Sequence, residues 1–314
     1  MTFTSPYVVG VDVGGTAIKA GLFDADLRLL AEFRTPTPRD AGPDAVLTAV
    51  LAAVTDTVAC GERRFGAAPA AVGLAVLGLI DETAGVAVMS AAAGWRDVPL
   101  RALAEQAAGV PVGFGHDIRA AALAEARLGA GRGVDNFLFV ALGTGIGAAV
   151  MIGGEPLAGA RGRAGEIGHV PVAGHAAPCP CGGHGCLETV ASARAVADRY
   201  GRRAGRVRPG AAEVADLVRH GDPDAAGVWA EAVAALAEVL AGCAAAFDPA
   251  AVVLGGGLAK SGDLLLTPLR AALAARSTLG PPPPVTVAAL GDRAALIGAG
   301  LLASRAANIP EGRR

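Results

Sequence analysis

The chain opens on a β-branched apolar run, residues 7–13, that ends in Gly14-Gly15-Thr16, after which Ile18, Ala20 and Leu22 alternate with Lys19, Gly21 and Phe23. An unbroken apolar run predicts a buried strand and a two-residue alternation a second one, so the start reads strand, tight glycine turn, strand. Val46, Leu47, Val50, Leu51, Val54 and Val58 recur at helical steps and predict an amphipathic helix over 44–58. A buried strand at 71–76, a helix at 99–108, a strand at 110–114 and an Ala-rich helix at 118–128 follow. Residues 137–152 then repeat the opening plan around Gly143-Thr144-Gly145-Ile146-Gly147. Trp229, Val233, Leu236, Leu240, Cys243 and Phe247 step alternately by four and three, which marks one buried helix face. A strand at 251–254 ends in Gly255-Gly256-Gly257, and helix resumes from Leu258 through Leu273. Four prolines after Gly280 form a rigid connector to a strand at 285–289 and a helix at 294–306. This order predicts an α/β protein, and the repeated strand-turn-strand unit predicts two lobes of similar design with a cleft between them.

Composition narrows the class. A chain of 314 residues, 53% hydrophobic and 18% charged with a formal net charge of -2, can bury a core in each of two domains and is not disordered. No basic block suits nucleic acid; the Arg-rich stretch 201–208 reads as a solvated loop or helix face. The first six residues have neither a basic nor an apolar signal region and no segment reads as a membrane anchor, so a soluble cytoplasmic protein is expected. Five cysteines, three of them packed into residues 179–186, suggest a metal site rather than a disulfide frame.

Three glycine turns, each directly after a buried strand, are suited to a nucleotide polyanion, because glycine lets backbone N–H groups approach phosphate oxygens. None of them has the P-loop pattern, nor does a dinucleotide-binding glycine fingerprint open a helix after the first strand. Asp12, at the end of the first strand, is placed to orient Mg2+ waters beside a triphosphate or, alternatively, to cap the turn. Thr16 can donate to phosphate, while Lys19 either neutralises charge there or points to solvent. Cys179, Cys181 and Cys186 with one histidine make a Cys3His set, a closed tetrahedral environment for structural Zn2+; His169, His175 and His184 compete for the fourth place.

Taken together, the segments 12–19, 142–147, Gly165-Glu166-Ile167-Gly168-His169 and Cys179-Pro180-Cys181-Gly182-Gly183-His184-Gly185-Cys186-Leu187-Glu188 resemble the ROK family of sugar kinases and sugar-responsive repressors, in order and spacing from about Tyr7 to Ala306. The resemblance implies a two-lobed actin-like (ribonuclease H-like) ATPase fold: residues 1–117 plus 291–314 as the N-terminal lobe, to which the last helix returns, and 118–290 as the C-terminal lobe with the zinc loop. It implies that ATP and sugar bind between the lobes, and that His169, Cys179, Cys181 and Cys186 hold zinc. Glu166, His169, Glu188 and Gly78 would line the sugar site; Gly14, Gly15, Thr16, Thr144 and Gly145 would face the phosphates, and Gly255, Gly256 and Gly257 the adenosine. The family's general base belongs to an Asn-Asp pair just after a strand, which falls on His116-Asp117. Asp117 would accept the proton of a sugar hydroxyl as that oxygen attacks the γ-phosphorus, with Mg2+ on the phosphates. Its other reading is a helix N-cap. A homodimer is implied too, with no nucleic-acid or membrane partner.

Two departures bear on the substrate. Where relatives place Asn shortly before Gly94-Trp95, this chain has Ser90-Ala91-Ala92-Ala93, and where they read Glu-Asn-Asp-x-Asn it has Gly115-His116-Asp117-Ile118-Arg119. An unpaired ligand hydroxyl costs about 1–3 kcal/mol, which shifts substrate preference rather than abolishing binding. The expected acceptor is therefore the 6-hydroxyl of a glucose-like hexose, as in a glucokinase, with an amino hexose such as kanosamine or an N-acylated hexosamine as the alternative; a neutral His116 would accept a hydrogen bond from an amine. A non-catalytic sugar sensor is the other class considered. The family's repressors carry an N-terminal helix-turn-helix, whereas six residues precede the first strand here. A zinc hydrolase fits less well, because four protein ligands leave no position for water.

Overall fold

A computed structural model describes residues 6–310 except 206 and 208. The chain ends, assigned above to the first lobe, and Arg206 and Arg208 of the basic stretch lie outside the described residues. Two compact units form: Met1–Leu128 with Ala158–Arg163 and Asp292–Arg314, and Gly129–Leu157 with Ala164–Gly291.

The first unit carries β1 (Val8–Val13), β2 (Ala17–Phe23), β3 (Leu29–Pro36), α1 (Pro43–Phe65), β4 (Val72–Val76), β5 (Leu79–Asp81), β6 (Val86–Ser90), β7 (Trp95–Val98), α2 (Leu100–Ala108), β8 (Val112–His116) and α3 (Asp117–Leu128). The second carries β9 (Phe137–Leu142), β10 (Ile146–Ile152), β11 (Glu155–Pro156), α4 (Leu187–Ala191), α5 (Ala193–Ala204), α6 (Ala211–Arg219), α7 (Pro223–Phe247), β12 (Val252–Gly255), α8 (Asp263–Ala274) and β13 (Val285–Val287). Finally α9 (Ala294–Ala306) rejoins the first unit.

The main sheets run β3-β2-β1-β4-β8 and β11-β10-β9-β12-β13. Both have two antiparallel pairings followed by two parallel ones. The internal repeat expected from the two strand-turn-strand units is therefore a repeat of whole sheets. In the first sheet Gly10, Gly73 and Gly113 form one row across β1, β4 and β8. Backbone of α9 lies on that row: a Cβ at Gly73 would stand 1.8 Å from the Ala299 carbonyl oxygen, and one at Gly113 2.2 Å from that of Leu302. Missing side chains thus let the last helix dock at backbone distance, which explains its return. On α1, Val46, Val50 and Val54 are wholly buried and pack into the core that contains the β1 and β4 valines.

Helices α1 and α7 are long and apolar enough to cross a membrane by length and composition. In the structure each buries a stripe in its own unit, on α7 through Val228, Trp229, Leu236, Leu240 and Cys243. Phe247, expected on that stripe, is 44% exposed, because the helix ends there and Asp248 turns left-handed. The helix expected from Leu258 starts at Asp263 instead: a 3-10 turn, Leu258–Ser261, is closed by Gly262 at φ +61°. The short sheet β5-β6-β7 and edge strand β3 lacked a clear apolar period and were not anticipated; helix α6, with Val214, Leu217 and Val218 at helical steps, was not anticipated either.

Candidate active site and metal centre

In parallel strands the carboxyl ends share one edge of the sheet, where α/β proteins bind ligands. The first sheet aligns Val13, Val76 and His116 in one row. One residue further along, Gly14, Leu77 and Asp117 leave the three strands together. Two strand spacings of about 4.8 Å put the glycine turn roughly 10 Å from Asp117, room for a phosphoryl group and an attacking hydroxyl.

The turn is braced by its surroundings. Gly14 N–H donates to the Ala17 carbonyl at 3.1 Å, Thr37 Oγ1 donates to the Gly14 carbonyl at 2.7 Å, and Thr37 N–H to that of Thr16 at 3.1 Å. Thr37 belongs to no motif and only the structure brings it to the turn. Thr16 is exposed, and Gly15 faces Ala92 and Leu77, so one of the residues replacing the family's Asn segment stands beside the turn. Gly78, at φ +96°, closes a tight connection in which a Cβ would meet the Met89 carbonyl oxygen at 2.5 Å.

Asp12 and Lys19 are directly paired across β1 and β2, and Lys19 Nζ lies 3.1 Å from Asp12 Oδ2. The lysine points inward, not to solvent, and also donates to the Asp292 carbonyl at 2.6 Å. Burial pushes the Asp12 carboxyl up to about 6 against the lowering effect of Lys19, and the Asp117 charge adds to the rise. Asp12 and Asp117 thus face one another electrostatically. Asp117 opens α3 with Oδ1 accepting from Ile118 N–H at 2.7 Å, and its side chain remains 25% exposed. Asp117 is thus the first residue of α3, and this bond comes from the next residue's N–H, not from the second or third helical N–H that a cap would serve. His116 is buried, with Nδ1 3.3 Å from Asp117 Oδ1.

In the second unit β9 and β12 pair Ala141 with Gly255, so the 143–145 turn and Gly255-Gly256-Gly257 leave one sheet edge side by side. Gly256, at φ +86°, sits so close to β9 that a Cβ would lie 2.4 Å from the Leu142 carbonyl oxygen, whereas nothing lies near a Cβ at Gly257. Thr144 is exposed. Glu188 Oε2 accepts from Ile146 N–H at 2.9 Å, and Gly145 has no room for a Cβ beside the same oxygen. The carboxylate expected at the sugar and the turn expected at the phosphates are thereby joined.

Residues 165–169 lie flat on β10, where Cβ atoms at Gly165 and Gly168 would approach the Ala148 and Ile146 carbonyl oxygens to 2.0 and 2.1 Å. That contact presents His169 to the cysteines. His169, Cys179, Cys181 and Cys186 offer four ligand atoms within 4.8 Å of one another. Nδ1 of His169 lies 3.6 Å from Cys179 Sγ, and Cys181 and Cys186 Sγ atoms lie 3.6 Å apart. Tetrahedral Zn2+ with bonds of about 2.3 Å to sulfur and 2.0–2.1 Å to nitrogen spaces its ligand atoms by roughly 3.5–3.8 Å, so the donor set fits. Of the three histidines it is His169 that stands with the thiols, and its Nε2 points toward Glu166, 3.9 Å from Oε2. Burial, together with the neighbouring thiols, pushes Cys186 up to about 12. Burial also raises Cys179, while the Gly183 N–H lowers Cys181.

One carboxylate that sequence reasoning missed stands under Asp117. Glu82 Oε1 accepts from His116 N–H at 3.0 Å and from Arg119 Nε at 3.0 Å. The anomalous Gly115 and Arg119 were the only hints of it.

Comparison with known proteins agrees with this geometry. The family model described as ROK family matches residues 8–306. A glucokinase of Streptomyces coelicolor is 33% identical, covering 94% of this chain and 96% of its own, and a kanosamine kinase of Amycolatopsis mediterranei is 32% identical, covering 95% and 96%. The crystal structure of a ROK family glucokinase from Streptomyces griseus in complex with glucose and AMPPNP superposes with a TM-score of 0.83 at 33% identity, covering 95% of this chain and 99% of that one. The fold is the two-lobed actin-like ATPase fold of these kinases, and the chain belongs to the ROK family.

Proposed function

We propose that this protein is an ATP-dependent sugar kinase that transfers the γ-phosphate of ATP to the 6-hydroxyl of a glucose-like hexose. The observation that carries this reading is the shared sheet edge of the first unit, where a carboxylate emerges two strands from a glycine turn. Asp117 accepts the hydroxyl proton while the oxygen attacks the γ-phosphorus, and ADP leaves. In the first unit Gly14, Gly15 and Thr16 offer backbone and hydroxyl donors to phosphate, with Lys19 held beside Asp12; in the second unit Thr144 and Gly145 are assigned the same kind of contact. Gly255, Gly256 and Gly257 take the adenosine; Gly257, its Cβ position open, leaves space for it. In the second unit Glu166, His169 and Glu188 offer groups to sugar hydroxyls, Glu188 through the oxygen that does not bind Ile146; in the first unit Gly78 and His116 are the residues assigned to the sugar. Asp12 is placed to hold Mg2+ waters; when bound, Mg2+ neutralises charge on the transferring phosphates. His169, Cys179, Cys181 and Cys186 would hold a structural Zn2+, which when bound fixes the loop and the orientation of the His169 ring. A soluble cytoplasmic homodimer, acting on small molecules alone, goes with this reading.

An amino hexose is the second acceptor class. It is favoured by a buried His116 in place of Asn, by alanines where relatives carry the other Asn, and by the likeness to a kanosamine kinase. Purified protein with MgATP and a panel of glucose, kanosamine, glucosamine and N-acetylhexosamines is expected to release ADP only with sugar, fastest with one class. No sugar-dependent ADP above an Asp117→Ala control would refute the kinase.

The raised Asp12 carboxyl gives a pH dependence. Since its folded value of about 6 exceeds the ordinary 3.8, the group ionises above pH 6 and protonates below it. The shift of about two units means that, from this group alone, the fold loses about 3 kcal/mol as pH rises from about 4 through 6. Function runs the other way, because only the ionised carboxylate can hold Mg2+ waters. We expect kcat/KM for MgATP to fall about tenfold per pH unit below about 6, a limb absent from Asp12→Asn. An unchanged kcat/KM down to about pH 5 would remove Asp12 from the nucleotide site.

A further inference from the structure

Resting on Asp117 as the base, we propose that Glu82 and Arg119 are a positioning pair that sets the Asp117 backbone and carboxylate for proton abstraction. Arg119 is 4% exposed, and its guanidinium is built into three segments of the first unit. Nε and Nη2 lie 3.0 and 2.9 Å from Glu82 Oε1, and Nη1 donates to the Gly162 carbonyl at 3.1 Å. The same Glu82 oxygen accepts His116 N–H, so the pair grips the strand-to-helix junction on both sides of Asp117, one residue before it and two after. Glu82 is itself fixed. It rides the turn between β5 and β6, where Gly85 N–H donates to the Asp81 carbonyl at 2.8 Å and Arg101 Nη2 to the Thr83 carbonyl at 2.9 Å.

Burying a guanidinium is a poor way to fill space, since an apolar side chain of similar volume is as stable or more so. Nε and Nη1, which donate along fixed directions to Glu82 Oε1 and to the Gly162 carbonyl, do what an apolar group cannot, which is to set direction, while the buried Nη2 meets the same Glu82 oxygen as an ion pair without a hydrogen bond of its own. Two departures from the family pattern meet here. Arg119 stands where relatives read Asn, and at Gly115, where they read Glu, a Cβ would lie 3.7 Å from Glu82 Oε1. Glu82 thus brings a carboxylate, from elsewhere in the chain, to the neighbourhood that position 115 would otherwise enter. Position matters because a misplacement near 1 Å can cost about 100-fold in rate.

The test uses full-length Glu82→Gln, Arg119→Met, Arg119→Lys, the double variant combining Glu82→Gln with Arg119→Met, and Asp117→Asn. All are assayed with MgATP and the panel sugar turned over fastest, alongside thermal melts. Each single pair variant is expected to lower kcat roughly 10–100-fold while KM for MgATP stays within about twofold. The double variant should be no worse than the poorer single one, as for groups acting as a unit, and Arg119→Lys should recover part of the loss. Wild-type kcat in folded Glu82→Gln, additive losses, or losses that track the melting temperature alone would overturn the pairing. If Arg119→Met does not fold, the isosteric Glu82→Gln carries the test. An active Asp117→Asn would instead overturn the base itself, so the two failures are distinguishable.

Discussion

Asp117→Asn should leave a folded protein that still binds MgATP and sugar but turns over roughly 10²–10⁴-fold more slowly, the usual worth of a positioned general base. Asn is nearly isosteric, and its side-chain oxygen can keep the bond that Oδ1 accepts from Ile118 N–H, so the start of α3 is not disturbed. What disappears is the ability to take up a proton. Removing this negative charge also relieves Asp12, whose carboxyl it helps to raise, so the pH limb assigned to Asp12 should move to lower pH in the variant. Steady-state kinetics across pH, with calorimetric titration of sugar and nucleotide, check both effects. Wild-type kcat would mean that the hydroxyl needs no base at this position. A loss confined to sugar KM would make Asp117 a binding group only.

How far the site was legible in the sequence depends on how local its physics is. Glycine turns after apolar runs, a carboxylate at a strand end and thiols spaced two and five apart are written in adjacent residues, and the structure places them as turns, strand end and cluster. The hairpin repeat was legible for the same reason, whereas its extension to whole sheets rests on parallel pairings that only the structure supplies. Pairings across the fold were not. Alternation left Lys19 free to point either way, and it took the register of β1 against β2 to turn it onto Asp12. Glu82, 37 residues before Arg119, has no periodic or motif signal at all, and Thr37 reaches its turn only because β3 lies beside β2. Elements with mixed polarity, such as β3 with five exposed positions in a row, carry too little pattern to declare themselves. The glycine row under α9 was visible as three glycines but not as a row, since rows exist only once strands are registered.

Stripping the metal should unfold a loop rather than the protein. A structural zinc can contribute on the order of 10 kcal/mol, comparable to the whole stability of a domain at about 5–15 kcal/mol, but the four residues that would hold it lie within one surface loop and the start of α4. The cost is therefore met by local opening. Residues 170–186 are held otherwise by the buried Val172, by Ala173 N–H on Glu238 Oε1 at 3.0 Å and by backbone bonds, among them Val172 N–H to the Gly185 carbonyl at 2.9 Å and Leu187 N–H to that of Val170 at 2.9 Å. Without a cation, two of the three crowded thiols resist ionisation, and the cluster has little else to hold it together. Opening would not stay local in effect. Cys186 is 1% exposed and directly precedes α4, and two residues later Glu188 holds the Ile146 N–H behind the 143–145 turn. We expect one zinc per chain by elemental analysis. After chelation or in Cys186→Ser, amide exchange should rise across 170–186 with the sheet amides of β9 and β12 still protected, and kcat/KM for the sugar should fall about 10–100-fold. Metal-free protein with full activity and an unchanged exchange pattern would show that the four residues are a packed thiol cluster and that the His169 ring needs no metal to hold it.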